Sequence, residues 1–442
     1  MADKLLVRAY NVEVGDCIYC RIPKGRKVGT TIDDFHILID CGSVGGISHL
    51  EAAIADLETM LPAAGGKKRL DLLVVTHEHK DHIAGFDPEL FENITIGNIW
   101  MNAAMDPDHP QAGRTIELHR LATTAMRNIA ALNLALSPEL EELVALYGID
   151  NDGAMEALRE TLPEQNGISS TYVHAGMTPA QLGLPLNGVT IRVLGPERDI
   201  DRFYLGAEAD EDLQGLIATG AVFKNRPLKP TTVVPGNISG LDFRRLQSRM
   251  LSSAFAFAEL SSKVTNNTSV VLLIEWRGKR LLFVGDAEWD TKFKEGKANG
   301  AWNVMWRQRR AQLDAPIDFL KIGHHGSENA TPWNDQEDDA VTEPGTILDA
   351  ILPLAALPTA QAVVSTKRKN YETIPRTALL VEIGRRVRNV RNYKEELGSG
   401  ATALPKYTQF EKSWIDSPQP WRTDCEHALS GAAFVDVEID SA

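Results

Sequence analysis

Cysteine is scarce: Cys17, Cys20, Cys41 and Cys425 are all that 442 residues contain. A fold stapled by disulfides needs more than that at this length. Cys17 and Cys20 have the spacing of half a zinc ribbon, but no second pair completes one. They fall in a segment that reads as a strand, where residues three apart face opposite sides, so two separately buried thiols are expected. Also missing is a run of roughly 18 apolar residues, the length a membrane helix requires. The nearest candidate, 350–364, carries Pro353 and Pro358 and reads as a packed helix with a break. Asp3 and Lys4 open the chain in place of a secretory leader, which makes the cytoplasm the expected compartment and a membrane partner unexpected. Net positive charge is lacking as well. The balance is −14, which repels a phosphate backbone at long range and argues against a sequence-indifferent nucleic-acid binder. A local exception runs between Lys367 and Lys394: Lys367, Arg368, Lys369, Arg376, Arg385, Arg386, Arg388 and Arg391. A solvated helix face with its flanks explains that cluster more simply than a phosphate track does. Internal repeats and low-complexity tracts are absent.

What is present is an ordinary globular composition, 43% hydrophobic and 24% charged. Residues 5–22 alternate apolar and polar and read as one strand, and 35–40 as a second. A loop at 42–46 leads to helical periodicity over 48–62. Leu72-Leu73-Val74-Val75 is apolar throughout, as in a strand covered on both faces. Residues 113–163 are mostly helical, with Ser137-Pro138-Glu139 as a well-formed helix start. Strands return at 189–194, then as a hairpin of Ser269–Trp276 with Arg280–Val284, and at 318–322 and 361–365. A helix at 374–386 and a last strand at 433–439 complete the pattern. Strands and helices in this order predict an α/β sandwich, sheets covered by helices. The length fits a single domain over 1–442, with helical insertions at about 105–170 and 197–262 and a C-terminal extension at about 393–442.

The chemistry concentrates in His77-Glu78-His79-Lys80-Asp81-His82, which follows the apolar strand at once. Imidazole and carboxylate are the usual ligands of zinc and similar divalent ions. Two histidines separated by one residue in extended chain point the same way and can grip one ion. Asp81 and His82, one turn on, can serve a second.

Thr76 to Gly85 resembles the HxHxDH signature of the metallo-β-lactamase superfamily. Three further segments match that superfamily in order: Ile39-Asp40-Cys41-Gly42, Leu282-Phe283-Val284-Gly285-Asp286, and Phe319 through His324-His325-Gly326-Ser327. Val12-x-Val14-Gly15-Asp16, Asn266-Asn267-Thr268-Ser269 and the His-His-Gly-Ser run are most similar to the hydrolase domain of ComEC-type DNA-uptake proteins. The resemblance spans about residues 5 to 390. It implies a metallo-β-lactamase αββα sandwich with helical insertions, holding one or two divalent metal ions, zinc or manganese.

By that resemblance His77, His79 and Asp286 hold one ion, while Asp81, His82, Asp286 and either His324 or His325 hold the other. His324 is preferred as ligand because it follows the strand, which leaves His325 to touch substrate. Asp40 supports the ligand histidines from behind. Asp81 is the candidate acceptor for the proton of the attacking water. Asn266 and Asn267 stand where most dinuclear members carry a further histidine, so the His77–His79 site lacks a strong ligand. His109 and His174 are remote candidates to replace it. Asn267 and Ser327 are candidates for supporting the site or contacting substrate. Asp16 reads either as a site-shaping residue or as a turn aspartate, His36 as core, and Lys321 as an edge residue more readily than as a buried charge.

These features predict a hydrolase using a metal-activated water, first on a phosphodiester, with a phosphate-containing or ester substrate and nucleic acid among the admissible partners. The same fold also hydrolyses carboxylic esters, thioesters and lactams, since fold alone does not choose a substrate. A module that keeps the fold only to bind a partner ranks third. Oligomeric state has no signature in the sequence.

Overall fold

The computed structural model describes every residue except 1–2, 131–137, 148–151, 207–253, 257, 334–341, 356–357, 367–373, 388–432 and 442. Its strands, in chain order, are β1 (Lys4–Tyr10), β2 (Cys17–Val28), β3 (Thr31–Cys41), β4 (Ala63–Ala64), β5 (Lys67–Leu70), β6 (Leu72–Val75), β7 (Ile94–Ile96), β8 (Ile99–Asn102), β9 (Ser170–Val173), β10 (Val189–Gly195), β11 (Val271–Trp276), β12 (Lys279–Phe283), β13 (Phe319–Lys321), β14 (Gln361–Val363) and β15 (Phe434–Asp440). One sheet has the order β15-β1-β2-β3-β6-β8-β9 and another β10-β11-β12-β13-β14; β4, β5 and β7 form a small third sheet.

Period-two alternation decides what each sheet buries. In β6, Leu72 and Val74 point into a core shared by the two large sheets, alongside Ile37 and Ile39 from one and Leu272, Ile274 and Phe283 from the other. Leu73 and Val75 point the opposite way, into a core closed by Leu50, Ile54 and Leu57. Those three lie on helix α1 (Ile47–Met60), whose buried residues Leu50, Ala53, Ile54 and Leu57 follow the spacing of one helical face. Beyond the five-stranded sheet lies a third core, filled by Trp302 and Met305 of helix Ala301–Gln308, Ile347 and Ile351 of helix Glu343–Ile351, and Leu379 and Ile383 of helix Thr377–Arg386. The layers therefore run helix, sheet, sheet, helix. Each fully buried Leu, Ile or Phe in these layers contributes on the order of 1.5–3 kcal/mol.

Several expectations are corrected. Residues 5–22 form two antiparallel strands, because Gly15 (φ 150) and Glu13 (φ 70) turn the chain between them. Cys17 and Cys20 do face opposite sides of β2, one in each core. The stretch 350–364 holds the end of one helix at Ile351 and strand β14 from Gln361, since Pro353 and Pro358 deny helical backbone hydrogen bonds. Lys321 is an interior charge, not an edge residue: β13 is paired on both sides, and the side chain is 1% exposed. The β11–β12 hairpin turns at Arg277 and Gly278, both with positive φ (45° and 78°), as a two-residue hairpin turn needs.

After the short helix α2 (Lys80–Ile83), the first of the two predicted insertions contributes α3 (Ala112–Ala130) and α4 (Pro138–Tyr147), with Pro138 at the helix start. Ser137 and most of 197–262 lie outside the described residues. Past residue 432 the C-terminal segment returns as β15, which pairs with β1 over all seven positions from Lys4↔Asp440 to Tyr10↔Phe434. Among the described residues, no helix is long and apolar enough to cross a membrane.

Candidate metal centre

The parallel pairs β3–β6, β12–β13 and β13–β14 bring the C-terminal ends of these strands together, and each end delivers one part of the site. Asp40 lies at the end of β3, with His77 to His82 after β6, Asp286 after β12, His325 after β13 and Ser365 after β14. Gly42 permits the closest of these approaches. A Cβ there would sit 2.2 Å from the carbonyl carbon of Asp81 and from the nitrogen of His82.

Two ligand groups result, each with its ligand atoms within 4.8 Å of one another. One is Asp81, His82, Asp286 and His325; the other is His77, His79 and Asp286. Asp286 belongs to both: its Oδ2 lies 3.3 Å from Nε2 of His82 and 3.7 Å from Nε2 of His77. All of these side chains are buried.

Each ring is held from behind through one nitrogen and turns the other to its fellow ligands. His82 places Nδ1 2.8 Å from Asp40 Oδ2, His325 places Nδ1 2.8 Å from the carbonyl of Ser365, and His77 places Nδ1 3.1 Å from the Thr76 hydroxyl. Facing inward, Nε2 of His325 is 2.7 Å from Asp81 Oδ2, and Nε2 of His77 is 3.1 Å from Nδ1 of His79. Asp40 also accepts from the Thr76 amide and hydroxyl, both at 2.7 Å, which ties the end of β3 to the loop after β6.

The electrostatics suit ligands. Burial pushes His77 and His79 well below the usual imidazole range, keeping them neutral with free lone pairs. It pulls the carboxyls of Asp286 and Asp81 upward, but His82 and its neighbours outweigh it and hold both ionised, Asp81 at about 2. His82 is pushed up despite burial by Asp286, Asp81 and Asp40, a concentration of negative charge that calls for a cation. Oδ1 of Asp81 and Nε2 of His82 are buried without a hydrogen-bond partner. Orphaned polar atoms within a cluster of imidazoles and carboxylates fit a divalent ion.

Of the predicted site residues, His77, His79, Asp81, His82 and Asp286 enter these groups and Asp40 braces His82, while His324 and His325 take places opposite to those expected. His325, not His324, enters the ligand group. The strand stops at Lys321, and His324 and His325 are consecutive left-handed residues (φ 45° and 54°), so their rings diverge. The His324 amide donates to Asp286 Oδ1 at 2.9 Å, while its ring leans toward Glu288, 3.7 Å away, and remains partly exposed. Asn266 and Asn267 both donate to the Glu288 carboxylate, at 2.8 and 3.3 Å, and Asn267 Oδ1 accepts from the Glu288 and Ala301 amides. Asn267 thus braces the loop after β12; Asn266 Oδ1 is buried with no partner, as is Ser327 Oγ. His109 and His174 enter neither ligand group.

Asp16 forms a buried ion pair with Lys321 at 2.7 Å and stands beside Asp40 and His82. The ammonium already supplies the cation for that third group. His36 is core, its Nδ1 2.7 Å from the Tyr19 hydroxyl. Of the basic residues in 367–394, Arg385 and Arg386 are paired with Glu382, while Lys367, Arg368, Lys369, Arg388 and Arg391 lie outside the described residues.

Four contributors have little signature in the sequence. Glu288, two residues after Asp286, and Thr76, beside the motif, have at least a local cue. Ser365 acts through its backbone carbonyl, which no side-chain pattern reveals. Tyr147 ends α4, its hydroxyl 3.2 Å from Nε2 of His79.

No protein-family model and no curated protein matches the chain. Among solved structures it is similar to a metallo-β-lactamase fold protein, YhfI from Bacillus subtilis, at 11% identity and a TM-score of 0.25, covering 72% of this chain and 71% of that one.

Proposed function

We propose that this chain is a metal-dependent hydrolase acting on a phosphodiester, with a pair of divalent ions, zinc or manganese, between the motif histidines. The observation that carries the reading is the sharing of Asp286 between two buried ligand groups. A carboxylate between two sets of imidazoles is the arrangement that holds two ions a few ångströms apart. His77, His79 and Asp286 would hold one; Asp81, His82, Asp286 and His325 the other. Bound there, divalent ions lower the pKa of a coordinated water toward neutrality and stabilise charge on a phosphoryl oxygen.

The chain's own groups supply the rest. Asp81, the candidate acceptor for the proton of the attacking water, has one carboxylate oxygen without a hydrogen-bond partner. His324, leaning on Glu288 at the margin of the centre and partly exposed, is placed to meet the substrate. The mixed oxygen and nitrogen donor set, with asparagine at 266 and 267 in place of a further histidine, suits manganese as well as zinc. The likeness of the motifs to the ComEC-type hydrolase domain favours a phosphodiester over a carboxylic ester.

The test is to load purified protein with manganese or zinc and offer bis-p-nitrophenyl phosphate and p-nitrophenyl acetate. Turnover of the phosphodiester alone, lost in His79→Ala and Asp286→Ala, is expected. Turnover of the acetate alone would replace the phosphodiester with an ester or thioester. Metal binding without either activity would leave a binding module.

A further inference from the structure

His82 and His325 are braced by the sandwich itself, through Asp40 and the Ser365 carbonyl. His79 is not. Its Nδ1 lies 3.1 Å from His77 Nε2, so these are the two nitrogens that can share one ion. Nε2 must then carry the proton and, being buried, needs an acceptor. The group in reach is the hydroxyl of Tyr147, 3.2 Å away, with the phenol edge-on to the imidazole at 5.4 Å between centroids.

Tyr147 is the last residue of α4 and is buried against Ala122, Met126 and Ile129 of α3 and Ala258 from the end of the second predicted insertion. His119 of α3 packs on the phenol at 5.2 Å and faces Glu78 at 3.4 Å. Ser261 and Thr265, which precede the Asn266-Asn267 motif, neighbour the same hydroxyl. Both insertions therefore meet at the back of one ligand ring. The half-site they meet is also the sparser one, with three ligands against four.

We propose that Tyr147 is a positioning residue for the His77–His79 half of the centre. Its hydroxyl accepts the Nε2 proton of His79, fixes the tautomer that leaves Nδ1 free to ligate, and makes the inserted helices a working part of the metal site. The inference rests on the metal reading proposed above, and it adds that one half of the centre depends on a residue outside every superfamily motif.

The experiment titrates metal-free wild type, Tyr147→Phe, His79→Ala and Met126→Ala with zinc and manganese by calorimetry, and records visible spectra with cobalt. Two binding events are expected in the wild type, with His79→Ala abolishing the one assigned to this half. Tyr147→Phe, which keeps the packing, is expected to weaken that same event about 10- to 100-fold, leave the other in place and alter the cobalt band of one site. Met126→Ala opens a cavity in the same helical core but keeps the hydroxyl, so it is expected to lower the melting temperature and leave both affinities unchanged. Wild-type affinities in Tyr147→Phe, or an equal loss in Met126→Ala, would overturn the role of the hydroxyl alone. A wild type that binds no ion would overturn the hydrolase reading and this inference together.

Discussion

His325 and Asp81 are 244 positions apart in the chain, yet Nε2 of the first lies 2.7 Å from Oδ2 of the second. That contact joins the loop after β13 to the loop after β6, and it separates the two adjacent histidines by role. His325→Ala is expected to lose one equivalent of bound metal and at least about 100-fold in whatever hydrolytic activity the metal-loaded protein shows. His324→Ala is expected to keep its full metal content and show its defect in KM. Elemental analysis of the two purified variants, beside steady-state kinetics, reads both results; loss of metal in the second variant would reverse the assignment.

Asp40 combines a positive φ of 57° with hydrogen bonds to Thr76 and His82. Asparagine tolerates left-handed backbone but turns one accepting oxygen into a donating NH2, so Asp40→Asn is expected to fold, to lose about 1–3 kcal/mol and to bind metal about 10-fold more weakly. Asp40→Leu adds backbone strain and strands the Thr76 amide, which together cost a further 2 kcal/mol or so. Equal metal affinity in wild type and Asp40→Asn would show that the carboxylate's charge is not what supports His82.

The pair of Lys321 and Asp16 is buried on both sides, at 2% and 3% side-chain exposure. Removing one charge leaves the other uncompensated, so Lys321→Met is expected to cost about 3–5 kcal/mol. Adding Asp16→Leu to that variant removes the stranded carboxylate and is expected to restore most of the loss. Urea unfolding of the two singles and the double measures the coupling; additive losses would mean that the pair is not a unit.

Acid should destabilise the fold through His36, which burial pushes down to about 3, with Arg69 and Arg21 adding to the effect. The unfolded imidazole takes up its proton near 6.5 and the folded one does not, so folding stability is lost as pH falls below 6.5 toward 3. Between pH 7.5 and 5.0 the contribution is about 2 kcal/mol. His36→Gln, which cannot take up that proton, is expected to show a correspondingly smaller difference between the two pH values in urea unfolding. An unchanged difference would assign the acid sensitivity to other groups.

Much of the fold was legible because alternation and helical spacing are local. The apolar run at β6, the β11–β12 hairpin and the buried face of α1 follow from residues close together in sequence. The same locality explains the failures. An unbroken alternation hid the turn at Glu13 to Gly15, and Lys321 looked like an edge because pairing partners are not written in a strand's own residues.

The amino-acid sequence by itself determined which chemical groups this protein can offer a metal ion. The imidazoles and carboxylates of His77 to His82 are ligand types for divalent ions, and a strand feeds directly into them. Tertiary structure alone decided how they are placed: that His325 turns inward and His324 outward, that Asp286 belongs to both ligand groups, and that the ring of His79 meets a tyrosine of α4. The reason is physical. Ligand type is a property of one side chain, whereas its direction depends on backbone torsions and on neighbours delivered by strands paired across hundreds of residues.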